Sequence, residues 1–433
     1  MVRSDYGSAA PFRARVTPGG LNSTGTPKRR SAGARTPYRE SGFGVFFFLF
    51  AGALAPAGAA HALWDDRLEP YASHAAYRDD NVLRRPPELE ASTDTYRVSA
   101  LGLQLDAPLG RQRLRGALSV NSVRYDRFEQ FDLDGHEGRA LWEWQTVGDL
   151  RGRLGLEHRK ALASLANVQG GAQSIVPNAL TTRRAFAEAD YRLAAGWEIG
   201  LEASQLEQAN AAAERRPNDL ELERGAASLH YISRADNRIG LRARVTRGTL
   251  PTAQPVAGLL VDNSYRQREA ALVADWRPGG RTRLRAHLGR VQRDYEQLPQ
   301  RDFAGGTGEL ALEWTPTGKL ELSALAQRDI SDTEEIHVSF VLAERFALAA
   351  KYRSSGKTEL SALLETSDRR YLGEVGTVPA RSERVSAAGL AAGYRPHPRI
   401  TLSLGLRRET RSTSLAFGAY AVNVASLGAR IGF

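Results

Sequence analysis

The feature that most constrains this chain is a side-chain period of two, repeated at regular intervals from residue 96 to the end. Ile239, Leu241, Ala243 and Val245 alternate with Arg238, Arg242, Arg244 and Thr246; Leu284, Ala286 and Leu288 alternate with Arg283, Arg285 and His287. Ile400, Leu402, Leu404 and Leu406 follow the same rule. Successive side chains of a strand point to opposite faces, so each segment is a strand with one apolar and one polar face. On a helix neighbours would stand about 100° apart and no clean stripe would form.

The connectors are as regular as the strands. Short turns carrying Gly, Pro, Asp or Asn occur at 147–150, 192–196, 233–237, 277–280, 315–318, 353–357 and 395–398. Between them lie longer polar stretches at 124–136, 159–182, 207–220, 248–264, 291–306 and 366–383. A soluble β-sandwich has no reason to keep its long connections on one side. An up-and-down antiparallel barrel in the bacterial outer membrane does, with short periplasmic turns and long external loops. Aromatic residues sit beside the short turns: Trp144, Tyr191, Trp197, Tyr231, Trp276, Trp314, Tyr352 and Tyr394. Such rings gather where an apolar slab meets water, and here they mark the periplasmic girdle.

The pattern predicts an all-β transmembrane barrel of about eighteen strands, with sixteen the other even count that the turns allow. Strand pairs are expected at 96–105/112–123, 138–147/150–158, 184–191/197–206, 222–231/238–247 and 266–276/281–291. They continue at 307–314/319–328, 336–352/357–366 and 384–394/399–410, with a last strand near 417–433. Periplasmic termini at both ends demand one more strand, around 75–85, preceded by a short periplasmic segment at 63–74. In the last strand Ala425, Leu427, Ala429, Ile431 and Phe433 share a face. Leu427, Ile431 and the terminal Phe433 are expected to be read by the barrel-assembly machinery.

Composition narrows the remaining choices. The 433 residues include no cysteine, which excludes disulfide scaffolds, thiolate metal sites and cysteine nucleophiles. The formal charge of +10 invites a nucleic-acid reading, but +6 of it falls within residues 1–62. That basic stretch precedes an apolar core at 43–55 and small residues ending in Ala60-His61-Ala62, the make-up of a secretory signal peptide cleaved near Ala62. Downstream the basic and aromatic residues occupy opposite faces, unlike a nucleic-acid-binding surface.

Neither a Gly-x-Ser-x-Gly elbow nor a full Gly-x-x-x-x-Gly-Lys-Ser/Thr phosphate loop is present, and the eight histidines are scattered. The expectation is a protein that is not an enzyme and has no catalytic residues, metal or cofactor. Asp132-Leu133-Asp134-Gly135-His136-Glu137 is the one stretch with the look of a calcium loop, without its later Glu and flanking helices.

If the aliphatic positions face lipid, arginine recurs on the lumen side just after the turns: Arg113, Arg115, Arg151, Arg153, Arg242, Arg244, Arg283 and Arg285. Acidic residues on the descending strands share that face, including Glu143, Glu188, Asp190, Glu269, Asp275, Glu309 and Glu313. Asp275 is expected opposite Arg283, and Glu143 near Arg151 or Arg153. Two uses follow: a solvated charge ladder, or candidate contacts for an acidic polymer, since guanidinium grips carboxylate with two hydrogen bonds. Gln at Arg151, Arg153, Arg283 and Arg285 together is expected to leave folding intact if the acidic neighbours stay wetted by lumen water.

The opening Asp79-Asp80-Asn81-Val82-Leu83-Arg84, with the alternating 95–105 segment after it, resembles EpsL-type outer-membrane proteins. These are encoded with exopolysaccharide-biosynthesis and exosortase (PEP-CTERM) systems. The resemblance implies a part in exopolysaccharide biosynthesis or export, as a conduit or assembly component. It is consistent with periplasmic export proteins as partners and supplies no catalytic residues; the barrel itself implies outer-membrane lipids, and the lumen arginines an acidic exopolysaccharide. The alternative is a general diffusion porin without a dedicated polysaccharide partner.

Overall fold

The computed structural model describes residues 67–164, 177–256, 259–332, 340–373, 381–416 and 418–433. The leader, the apolar core at 43–55 and the cleavage region near Ala62 lie outside the described residues. The strands are β1 (Leu68–Asp79), β2 (Asp94–Leu109), β3 (Gln112–Tyr125), β4 (Leu133–Gln145), β5 (Leu150–Leu162), β6 (Ala179–Arg192) and β7 (Trp197–Asn210). Next come β8 (Leu220–Ile232), β9 (Arg238–Thr249), the short β10 (Gln254–Val256) and β11 (Leu259–Val261), β12 (Tyr265–Trp276) and β13 (Thr282–Tyr295). The chain ends with β14 (Phe303–Trp314), β15 (Leu320–Asp332), β16 (Phe340–Arg353), β17 (Thr358–Leu372), β18 (Ser382–His397), β19 (Ile400–Thr413) and β20 (Tyr420–Gly432).

Eighteen of these form one closed antiparallel sheet; β10 and β11 pair only with each other, as a hairpin within an external loop. Each barrel strand pairs with its sequence neighbours, and β1 closes the ring on β20. Closure leaves the wall no edge strand, so its amides pair from strand to strand around the ring without water. The extra strand is present at Leu68–Asp79, earlier than 75–85, so residues 68–74 belong to the wall rather than to a periplasmic segment. The external strand ends also run past their expected limits. β4 starts at Leu133 and β6 at Ala179, and the loop at 126–132 is correspondingly shorter than 124–136.

Three external loops close by one device. The carboxylate of Asp132, Asp219 or Asp302, which follows a 3-10 turn, accepts the N–H of Tyr125 (2.8 Å), Asn210 (2.7 Å) or Tyr295 (2.8 Å) at the end of the preceding strand.

Burial separates the two faces of the wall. Leu118, Leu156, Leu241, Leu390, Leu404 and Leu427 are exposed on the outside, at 53–66% of full accessibility. In water so large an apolar belt would drive aggregation; in a bilayer it is the contact surface. Tyr191, Trp197, Tyr231, Trp276, Trp314, Tyr352 and Tyr394 stand on the same outer face beside the short turns, each 43–51% exposed. Trp144 shares that parity but is half covered, and the exposed Trp142 joins the belt one pair away.

At the seam the Phe433 N–H donates to the Pro70 carbonyl (2.9 Å), while Leu427, Ile431 and Phe433 project outward. A charge at a membrane interface costs only about 0–1 kcal/mol. Phe433→Asp is therefore expected to leave the stability of the assembled barrel almost unchanged while lowering the amount assembled in cells. Comparing cellular yield with the melting of barrel refolded in detergent separates the two. Undiminished yield would exclude recognition through Phe433.

Candidate functional site

The candidate site is the lumen. All eight predicted arginines lie on inward positions, set by the same parity that points the neighbouring leucines to lipid. One cross-strand row reads Arg113, Glu143, Arg153, Glu188, Glu202, and another reads Arg238, Asp275, Arg285. Sign alternates from Arg113 to Glu188 and along the second row, which keeps neighbouring charges attractive; Glu202 breaks the alternation beside Glu188 and takes Arg242 instead.

Each of the eight meets a carboxylate. Arg113 bonds Asp106 through two nitrogens (2.7 and 2.6 Å), and Arg115 bonds Glu143. Arg151 reaches Asp190 (3.3 Å) and Glu198 (2.7 Å); Arg153 bonds Glu188 (2.7 Å). Arg242 bonds Glu202, and Arg244 lies 3.5 Å from Glu269, which also receives His287 at 2.7 Å. Arg283 grips Asp275 with both branches (2.9 and 2.6 Å), and Arg285 bonds Glu313 at 2.7 Å.

Asp275 was expected opposite Arg283; in register it faces Arg285, and Arg283 reaches its carboxylate diagonally. Glu143 sits directly opposite Arg153 in register, yet its carboxylate is taken by Arg115 on the other neighbouring strand. Strand tilt places the diagonal residue closer to a long guanidinium than the one straight across.

The condition of wetted acids holds for Asp190 and Glu313, which keep 36% and 45% of their side chains in solvent, but fails for two others. Glu198 is 1% exposed, held among Arg151, Arg238 (3.1 Å) and Arg192 (3.9 Å), and Asp275 is 4% exposed. Removing their arginines would strand charge away from water, so a four-site Gln variant is not structurally silent.

Sequence reasoning missed Glu198 and Glu202, because acids were sought only on descending strands and both lie on the ascending β7. Parity alone would have found them. It also passed over the external half of the lumen. There Tyr77, Tyr96 and Tyr125 stack in register, with ring centroids 4.9 and 4.8 Å apart, and loop residues Val82, Phe128 and Phe131 pack onto them. Across the sheet Leu222, Tyr265, Val291 and Tyr295 form a second buried cluster with Val261 and Leu298 from the loops.

The end of the β15–β16 hairpin joins that cluster. The ladder between β14 and β15 runs as far as Gly308↔Arg328, and Phe340 packs on Phe303 (5.4 Å) and Tyr295 (6.4 Å). A collar of aromatic and aliphatic side chains, with the buried Arg293 laid over Tyr265 (3.8 Å) and Arg301 buried as well, thus lines the external side, and the arginine ladder runs toward the periplasmic side.

The Asp132–Glu137 stretch is not a loop. From Leu133 it is β4, whose residues alternate between faces; Asp134 bonds Arg124 (2.7 Å) and Asp132 is used by the Tyr125 N–H. Among the described residues no group of three or more His, Asp and Glu is placed to hold a metal ion.

The opening Asp79–Arg84 stretch closes the seam between the first and last strands. The Asp80 carboxylate accepts the Asn423 N–H (2.7 Å) and its side-chain amide (2.6 Å), and the Asn81 amide donates to the Ala421 carbonyl (3.1 Å). Asp79, 2% exposed, accepts from Arg84 (2.8 Å) and from the Asn81 N–H (2.9 Å). Arg84 takes a left-handed φ of 53° to make that contact.

Residues 280–433 match the family described as "Putative beta-barrel porin 2". Among solved structures the chain is similar to OccK2 (OpdF) of Pseudomonas aeruginosa, at 12% identity, with 86% of this chain and 99% of that one covered and a TM-score of 0.47. OccK9 (OpdG) of the same organism gives 13%, 85%, 99% and 0.47. A BenF-like porin from Pseudomonas fluorescens Pf-5 gives 10%, 85%, 99% and 0.47. No curated protein sequence matches the chain. A closed sheet, a lipid-facing apolar belt, one aromatic girdle and a porin-family match over its last 154 residues lead to one conclusion: the chain is an 18-stranded antiparallel β-barrel of the bacterial outer membrane.

Proposed function

We propose that this barrel is a diffusion channel for small hydrophilic solutes, with the arginine–carboxylate ladder as its polar lining. The observation that carries the reading is the inward row Arg113, Glu143, Arg153, Glu188: a wall of fixed, mutually neutralised charge presents hydrogen-bonding groups to water and solute alike. Because each arginine already holds a carboxylate, the ladder favours polar solutes of either sign over capture of one long polyanion. The collar of Tyr265, Tyr295 and Phe340 lies above the ladder and restricts what enters from outside.

A second reading, a part in exopolysaccharide export, draws on the Asp79–Arg84 opening. That segment's contacts are those of a seam fastener, which serves a barrel whatever it conducts. One experiment weighs both readings. In a gene deletion, slower uptake of small hydrophilic solutes with unchanged secreted polymer is the expected result, and the purified barrel should give discrete conductance steps in planar bilayers. Reduced secreted polymer with normal uptake would instead establish the export role.

A further inference from the structure

Above the apolar belt the outer wall becomes ionic, and most of its cations carry their own counterion. Arg97 lies 3.1 Å from Asp126, Arg124 bonds Asp134 (2.7 Å), Arg183 bonds Glu207 (3.2 Å) and Arg384 bonds Asp368 (2.6 Å). The sector β9–β12–β13 departs from this pattern. Arg247 and Arg266 are direct cross-strand partners on the outward face, Arg268 lies two residues along from Arg266, and Arg290 extends the group onto β13. All four are exposed. No carboxylate of the described residues comes within 4.0 Å of Arg247, Arg266 or Arg290, and Arg268 has only Asp294, at 4.0 Å.

Like charges directly opposite on one sheet face repel. Register sets Glu223 on the far side of Arg247 and Asp294 on the far side of Arg266, yet neither carboxylate comes within 4.0 Å of those two arginines, so four arginines share two flanking acids and a further anion would balance the rest. Register says where that anion would be. Val245, Leu288 and Ala270 occupy the outward positions just below Arg247, Arg290 and Arg268. Arg268 is eight residues from the girdle residue Trp276, roughly 26 Å along the strand at ~3.3 Å per residue. With a tilt of about 40° that is ~20 Å along the membrane normal, near the outer limit of an apolar band ~25 Å tall. Arg247 and Arg266, two residues further along, stand ~25 Å up, while Arg290, opposite Ala270, stands ~15 Å up and reaches the external headgroup layer only by extending its side chain along the wall.

We infer that the outward face of β9–β12–β13 is a binding site for a phosphate-bearing glycolipid of the outer leaflet, held by Arg247, Arg266, Arg268 and Arg290. A phosphate oxygen pair matches the guanidinium fork, and one phosphate can satisfy two opposed arginines at once. The site lies on the lipid side of the wall and is independent of what the lumen conducts.

The test uses the full barrel in detergent with bisphosphorylated lipid A, chemically dephosphorylated lipid A and phosphatidylglycerol as probes, scored by native mass spectrometry. Bisphosphorylated lipid A is expected to bind roughly ten-fold or more tightly than its dephosphorylated form, about the worth of one charge-assisted pair. The R247Q/R266Q/R290Q variant should lose that preference while keeping its folded gel mobility, and R97Q, whose arginine has its own carboxylate, should keep it. Equal binding of the two lipid A forms by the unmodified barrel would overturn the site without recourse to any variant. Equal retention of phosphatidylglycerol would overturn the choice of glycolipid. Lipid-free association of two copies through this face would assign it to a protein contact instead.

Discussion

Asp79→Ala is expected to weaken the barrel more than any other single change at the seam. The carboxylate is 2% exposed and holds both the Arg84 guanidinium and the Asn81 N–H. Truncating one partner of a buried, hydrogen-bonded pair costs about 3–5 kcal/mol. Arg84 keeps 18% of its side chain in solvent, which places the effect at the lower end, near ~3 kcal/mol. The loss also reaches closure, because Arg84 adopts a left-handed backbone to reach Asp79, and the neighbouring Asp80 and Asn81 are the residues that fasten β20. The temperature at which folded gel mobility converts to unfolded should fall clearly for D79A. Asp80→Ala, at an exposed site, should lower it less. Identical conversion temperatures for D79A and the unmodified barrel would show that this cluster does not secure the seam.

Replacing Arg283 with Gln is expected to cost on the order of 3 kcal/mol, because Asp275 loses its two-pronged partner in a 4%-exposed position and keeps only Arg277 at 3.6 Å. Adding Asp275→Asn removes the stranded charge. The double variant should therefore recover most of the loss, a coupling measurable by urea unfolding in detergent. Extending the change to R151Q/R153Q/R283Q/R285Q removes four positive charges from the lumen and leaves Glu188, Asp190, Glu198 and Glu313 in place. Reversal potentials across a salt gradient should move toward cations, and more so in dilute salt, where the Debye length exceeds ~8 Å. If D275N/R283Q is no more stable than R283Q alone, the ladder does not derive its stability from mutual neutralisation.

The two effects differ in kind. The seam cluster determines whether the barrel closes; the ladder determines what the closed barrel conducts. A variant that changes conduction while melting normally belongs to the second class, and the pair of measurements assigns it.

The amino-acid order by itself determined the direction of each strand and the side that meets lipid, and it narrowed the strand count to eighteen or sixteen. Those properties rest on a local rule: where Leu402, Leu404 and Leu406 alternate with smaller or polar residues, neighbouring side chains must point apart, and short turns fix the sense of the next strand. The rule lapsed where both faces turned polar. Arg290, Gln292 and Asp294 continue β13 beyond the apolar belt, so the external strand ends looked like loops. Only the tertiary structure decided the partners within the lumen. Arg151 crosses β6 to reach Glu198, and Arg242 crosses β8 to reach Glu202, because strand tilt and a long side chain make the diagonal contact shorter than the direct one. The seam shows the same limit: Asp80 and Asn423 are 343 residues apart, and nothing in the local period of either segment encodes their contact. Loop residues Phe131 and Leu298 likewise pack on lumen side chains contributed by several strands, so the collar is a property of the assembled barrel rather than of any strand.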